Sequence, residues 1–489
     1  MVRDAPPNRL IFNGIDAVSG GYLLSPLRPE EIVKIALAES PEPALVKELQ
    51  YYTQRSHGFS FGVVESRDPT KLDESGWGVI FAADADSGIR EALRPLLELR
   101  RAQAGKWKEN YYREYAGPAG YRPGESKQEF LARQGAGPGP ADPEKMPYYL
   151  LLVGDPEAIP FRFQCQLDVQ YAVGRLWFEK DRMPDLDAFA RYAYGVVAAE
   201  TGAVTRPSRL TFFGTEHPDD YPTHLSAQGL VRPLADQLEW NTRGARWEVH
   251  ALVGSDATKA GLTQLLGGED TPALLFTAGH GVGFPASHPR HRTHQGALLC
   301  QDWPGPRSWS RSIPEHFYFA ADDVASDARL AGLIAFHYAS YSAGSPRLDD
   351  SASPSFPRPN EIGPQAFVAG LPQRLLSHPG GAVLAVVGLV DRAWGYSFSW
   401  DGAGRELVVF QSMLRRLLEG EPVGWAVEFC NERYAELSSD LSAELENLKF
   451  GKSPDEQSLA FMWTANNDAR SCVIFGDPAV RLPVANGVS

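Results

Sequence analysis

Leu274-Leu275-Phe276-Thr277-Ala278-Gly279-His280-Gly281 is the stretch on which the reading of this chain turns. Its first five residues are apolar or small with little alternation, which suits a strand buried on both faces of a parallel sheet. The run then breaks into a histidine flanked by glycines. Functional groups in open α/β sheets collect at the carboxyl ends of strands. Glycines there let the main chain approach a ligand and leave N–H groups to hold an oxyanion. A lone loop histidine is more often packed on its neighbours, so the motif needs a partner. Leu333-Ile334-Ala335-Phe336-His337-Tyr338-Ala339-Ser340-Tyr341-Ser342-Ala343-Gly344 supplies one. A second apolar strand ends among small residues, the setting a nucleophile needs: rigid support beneath and room for a scissile carbonyl above. Ordinary strands also exit into Ser- and Gly-containing loops, and only the pair of motifs gives either its force.

Outward from these two runs, further strands are expected at Gly78–Ala82, Tyr148–Val153, Leu210–Gly214, Trp247–Val253, Gly381–Val387 and Cys472–Phe475. Helical patterns fall between them at Gly88–Arg101, His224–Leu238, Ala257–Leu266, Phe367–Ser377, Glu406–Glu419 and Val423–Leu448. Such alternation predicts an α/β fold, a mostly parallel sheet flanked by crossover helices. Gly117–Pro147 is rich in Gly and Pro and reads as a mobile surface segment. Phe284–Pro314 and Gly344–Pro364 also read as loops. A boundary is expected near Thr201–Ser208, giving units 1–205 and 206–489.

With 489 residues the chain exceeds one typical domain. Its net charge of −14 argues against a nucleic-acid partner, which needs a basic face. The start, MVRDAPPNRLIFNG, has no apolar run fit for a signal peptide. No stretch approaches ~18 uninterrupted apolar residues, so no membrane partner is expected. Four cysteines without a CxxC pair are no disulfide framework, and point to a reducing, cytoplasmic setting. There is no GxSxG, no GxxxxGK[ST] and no HExxH. His288, His291 and His294 are spaced by three, but no further ligand completes them; they read as an exposed basic loop, and no metal is expected.

The two strand-end motifs, in this order, resemble those of the caspase-like (clan CD) cysteine peptidases. Two more segments are similar to the gingipain and CHAT branches: Tyr148-Tyr149-Leu150-Leu151-Leu152-Val153-Gly154-Asp155-Pro156-Glu157-Ala158-Ile159-Pro160, and Cys472-Val473-Ile474-Phe475-Gly476-Asp477-Pro478-Ala479-Val480-Arg481-Leu482. The resemblance spans roughly Tyr148 to Leu482. It implies a caspase–hemoglobinase fold in two caspase-like subdomains, the second catalytic. It extends to prokaryotic caspases of antiviral defence, including CRISPR-associated ones. His280 matches the family's catalytic histidine, and Gly281, with the nucleophile's own N–H, its oxyanion hole. Ser340 stands where the family has cysteine.

That serine is the main departure. A thiol is partly ionised near neutrality, whereas a serine needs a closely bonded base, usually oriented by a third group. Ser340 is therefore expected to be poorly active. Two origins fit, a substitution made to trap the enzyme or a degenerate lineage, and the maintained surroundings favour the first. Cys165, Cys300, Cys430 and Cys472 read as buried small hydrophobes.

Clan CD enzymes select mostly on the residue before the scissile bond, and a basic residue there requires a carboxylate. The candidates are Asp155, Glu157, Asp168 and Asp391, with Trp394 on the pocket wall. Arg392 is the competitor that would select aspartate instead. Arg290 and Arg292 lie in a loop between histidine and nucleophile that reads as an activation site for self-cleavage or for an upstream activating protease. No cofactor is expected, although some bacterial relatives require calcium. The leading expectation is an endopeptidase acting on protein substrates after Arg or Lys. The alternatives are a non-catalytic binding or regulatory module and a true serine hydrolase.

Overall fold

The computed structural model describes residues 12–13, 15–18, 20–21, 62–64, 67–241, 247–348, 361–394, 397–400, 404–449 and 455–484. Ten strands build the main sheet: β1 (Trp77–Phe81), β2 (Tyr112–Tyr115), β3 (Tyr149–Val153), β4 (Ala172–Leu176), β5 (Arg209–Gly214), β6 (Glu248–Val253), β7 (Leu274–Ala278), β8 (Ile334–Tyr338), β9 (Ala385–Leu389) and β10 (Cys472–Gly476). Their order across the sheet is β6-β5-β7-β8-β9-β10-β4-β3-β1-β2. The central strands are mostly apolar because helices cover both faces, and β1, β3, β4, β7, β8, β9 and β10 are buried throughout.

Every neighbouring pair is parallel except β9 with β10. The sheet is therefore two parallel halves that meet head to tail. Within each half the strands run second-first-third-fourth, as β2-β1-β3-β4 and as β6-β5-β7-β8. The last strand in sequence, β10, joins the first half. This seam has a geometric consequence. The register places Gly476 opposite Ala385 and Leu389 opposite Cys472. The carboxyl ends of β7, β8 and β9 thus share one sheet edge with the amino ends of β3, β4 and β10, and the carboxyl end of β3 lies at the other edge.

The turn after β10 ties the first half to one of its helices. Asp477 accepts from Trp77 Nε1 at 2.9 Å and from Arg100 Nε at 2.6 Å, and the Arg100–Asp477 ion pair is fully buried. A side chain at position 174 would meet the Gly476 carbonyl at 2.1 Å, so β4 and this turn touch through bare backbone. The Gly476-Asp477-Pro478 motif is thus a structural clasp.

A small four-stranded sheet sits beside the second half, in the order Tyr318–Phe319, Ala297–Leu299, Gly281–Gly283, Ile15–Asp16. It has its own core of Ile15, Val282, Phe284, Leu299, Trp303 and Ile313. Among the described residues, no helix is long and apolar enough to cross a membrane.

The segment 117–147 differs from the mobile surface stretch expected. It contains the helix Lys127–Arg133, with a capping box between Ser126 and Glu129, and it buries Tyr121, Phe130, Leu131, Ala141 and Met146 in the main core. Its many glycines and prolines mark turns between packed anchors. The loop around 288–294 is not an exposed coil either. His291–His294 form a helical turn, with His291 and His294 buried. Their ring nitrogens bond Phe284 O at 2.8 Å and Tyr318 Oη at 2.9 Å respectively.

Candidate active site

β7 and β8 are adjacent and parallel, with Ala278 opposite Tyr338. His280 and Ser340 each lie two residues beyond that matched pair, so both leave the sheet side by side. Gly281 brings the two exits into contact. A Cβ at that position would stand 1.9 Å from the Ser340 carbonyl oxygen, which only glycine permits.

His280 has a partner that the sequence did not single out. Its Nε2 lies 2.7 Å from Asp220 Oδ2, and both side chains are fully buried. Asp220 follows β5, whose carboxyl end shares this edge, and caps the helix α1 (Tyr221–Ser226). It accepts from the Thr223 hydroxyl at 2.6 Å and from the Thr223 N–H at 3.4 Å. A carboxylate held this way fixes the imidazole's orientation. The edge of Trp303 closes the other side, with ring centroids 6.2 Å from His280 and 4.9 Å from His217. Burial pushes the His217 pKa down to about 4, so the second imidazole stays neutral.

The Ser340 turn is strained and braced. Tyr341, buried, has φ of 60°, a left-handed conformation uncommon for a bulky residue. Such strain persists where neighbours over-determine it, commonly at functional sites. Here the Tyr341 N–H donates to Asp391 O at 2.9 Å. The Ser342 hydroxyl donates to His337 O at 2.7 Å and accepts from the Leu389 N–H at 3.1 Å. Ser340 Oγ itself accepts from the Ala393 N–H at 3.0 Å. Such a donor would favour a thiolate at this position by hydrogen bonding its charged form. A serine hydroxyl gains little from it, because its ionised form is not accessible near neutrality.

The sequence-derived binding residues divide sharply. Asp391 and Arg392 border the turn: the Asp391 carboxylate accepts from the Arg392 N–H at 2.7 Å, and the Arg392 guanidinium lies 6.0 Å from the Tyr341 ring. The backbone of Trp394 is in the same exit, in a strand with Ala393. Asp155 is not brought here. It caps its own turn by accepting from the N–H groups of Glu157 and Ala158, each at 2.7 Å, beyond β3 at the far edge. Glu157 accepts from the Ala366 N–H at 2.7 Å. Asp168 is buried and caps the start of β4 through the Val173 N–H at 3.0 Å; burial raises its pKa well above the carboxylate range. Arg290 is paired with Glu315, and Arg292 with Glu179. Neither arginine is a free loop cation.

A second acid does reach β8. Asp468, near the end of the helix α2 (Glu456–Ser471), accepts from the Tyr338 hydroxyl at 2.9 Å and from the Ser397 hydroxyl. Tyr338 stands two residues before Ser340. These side chains line a cavity of about 30 Å³ with Arg433, Leu389 and Phe410, room enough for water. None of the cysteines takes the nucleophile's place. All four are buried, and burial raises the Cys165 thiol to about 12.

No family model matches the chain, and no curated protein matches it. Among solved structures it is similar to one described as "Structure of Protease", at 11% identity and a TM-score of 0.45, covering 84% of this chain and 80% of that one.

Proposed function

We propose that this chain is a caspase-like endopeptidase scaffold in which His280 is the general base and position 340 the nucleophile. The observation that carries the reading is the juxtaposition at one sheet edge. A buried Asp220–His280 pair abuts, through Gly281, the strained turn that presents Ser340. The N–H groups of Gly281 and Ser340 are the proposed oxyanion donors. Cleavage after Arg or Lys is the proposed preference, with Asp391 and Asp468 the acids that border this strand end. The test is Ser340→Cys, assayed on peptides ending in Arg, Lys or Asp. Activity on the basic peptides that His280→Ala abolishes is expected. A folded Ser340→Cys protein whose thiol is accessible and which is still inert would sink the peptidase reading. A profile dominated by Asp would overturn the preference and point to Arg392.

Asp220 favours a second reading, a serine hydrolase, because it supplies the third group that a serine nucleophile needs. Fluorophosphonate labelling of Ser340 in the unmodified chain, lost in His280→Ala, would establish that reading. No labelling would leave the thiol form as the competent one.

A further inference from the structure

Ser340 has no solvent-exposed surface, and the His280 side chain has none either. What lies beside them is a piece of this chain's own amino-terminal region. Phe12–Asn13 pair antiparallel with Ala393–Trp394, and Ile15–Asp16 pair parallel with Val282–Gly283. The first wall is the one whose Ala393 N–H bonds Ser340 Oγ. The second begins one residue after Gly281, which rests on the Ser340 main chain. The two described pieces of the segment thus hold both walls that flank the Ser340 turn.

We infer that the segment whose described pieces are residues 12–13 and 15–17 is a built-in pseudosubstrate, paired with both walls of the groove in which an extended peptide would lie and keeping the site closed. Strand addition suits this role, because main-chain bonds hold a peptide whatever its sequence. The attachment is local. Ile15 is fully buried in the small core against Val282 and Phe284. Beyond it, the Ala17 N–H donates to Gly283 O at 2.7 Å, and Ala17 O accepts from the Ile313 N–H at 2.7 Å. Ile15, the smaller buried Ala17 and a few main-chain bonds can be released without unmaking the ten-stranded sheet. The word substrate rests on the peptidase reading above; the closure does not.

The experiment reads access and needs no turnover. In full-length Ser340→Cys, the rate of iodoacetamide capture at position 340 is followed by peptide mass spectrometry. The four buried native cysteines serve as an internal control for unfolding. Slow capture is expected in the intact chain. Adding Ile15→Asp should raise the rate at 340 by about tenfold or more, as expected for losing one buried aliphatic anchor, with the other cysteines still protected. A synthetic peptide of residues 9–18 should slow it again. Rapid capture in the intact chain would overturn the inference, as would an unchanged rate in a folded Ile15→Asp protein. Should Ile15→Asp expose every cysteine, the milder Ile15→Ala decides: faster capture confined to 340 supports the closure, and an unchanged rate refutes it. The expected capture rates, with no cleavage of any peptide by the opened Ser340→Cys, Ile15→Asp protein, would retain the closure and remove the peptidase reading.

Discussion

The two halves of the sheet share a strand order and differ in what their strand ends do. In the first half, polar groups are consumed in holding the half together. Arg175, fully buried in β4, donates to Gly154 O at 2.9 Å, Ile159 O at 2.7 Å and Gln164 Oε1 at 2.8 Å. Asp155 is spent on its own turn. In the second half, β5, β7 and β8 send Asp220, His280 and Ser340 toward one point. The same contrast holds for backbone strain. Asp181 and Arg182, with φ of 52° and 65°, form the two-residue turn of the hairpin Glu179–Lys180/Met183–Pro184, where both values are ordinary. Tyr341 has a similar φ in a buried turn with no such excuse. A repeated topology therefore supplies two sets of strand ends, and side-chain chemistry decides which one becomes a site.

The comparison breaks most visibly at the strand-end acids. In the Ser340→Cys background, Asp220→Asn should lower turnover by on the order of 10²–10⁴-fold, because it removes the group that orients the proposed base. Asp155→Asn, the matching change at the other edge, should leave turnover within about twofold, since surface-turn substitutions cost little. Steady-state kinetics on one basic peptide measures both. Equal losses would mean that Asp155 borders the site after all.

A pH series sharpens the contrast with a smaller effect. His217 and His337, both in the second half, have pKa values lowered to about 4 by burial. Each is neutral in the fold and protonates on unfolding once the pH is below its unfolded value of about 6.5. Their contribution is complete above that value and is lost as the pH falls toward 4, up to about 3 kcal/mol each. Asp168, in the first half, has its pKa raised by burial and acts oppositely: acid relieves its cost. Denaturant unfolding between pH 7 and pH 4 should show His337→Gln with a flatter acid limb than the parent, and Asp168→Asn with a steeper one. Identical slopes in all three proteins would show that these buried groups do not titrate as their burial dictates.

The sequence was readable where burial is complete on both faces. β3 and β10 are uninterrupted apolar runs, β7 and β8 are broken only by Thr277 and His337, and the strands expected from all four lie within a residue of those observed. β2 escaped because Tyr112-Arg113-Glu114-Tyr115 is an edge strand with a half-exposed, charged middle. β4 escaped because Gly174 and Arg175 interrupt it, one for close backbone approach and one for an internal hydrogen-bond hub. At the site, His280 and Ser340 were legible because glycines and small residues surround them. Asp220 was not, since Asp219-Asp220-Tyr221-Pro222 reads as an ordinary helix cap, which it also is. Its place after β5 was the available signal: every strand end on that edge is a candidate. Asp468 is hidden in the polar last turn of α2, and only the fold brings it to Tyr338.

Composition misled most at 117–147, where many glycines and prolines conceal a packed helix. The smallest predicted effect tests that stretch. Ser126 Oγ accepts from the Glu129 N–H at 3.2 Å, and Glu129 Oε2 accepts in return from the Ser126 N–H at 2.9 Å. This reciprocal pair satisfies two N–H groups at the start of a helix that carries Phe130 and Leu131 into the core. Ser126→Ala removes one half of it, and the loss of such a cap costs about 1 kcal/mol. If 117–147 folds as part of the first half, that cost appears as a lower denaturation midpoint for the whole domain. Capture of a cysteine at position 340 should not change, because the cap lies in the half away from the candidate site. A midpoint equal to the parent's would mean that the helix is not coupled to the sheet. A change in capture rate at 340 would mean that the two halves are less separate in function than their strand ends imply.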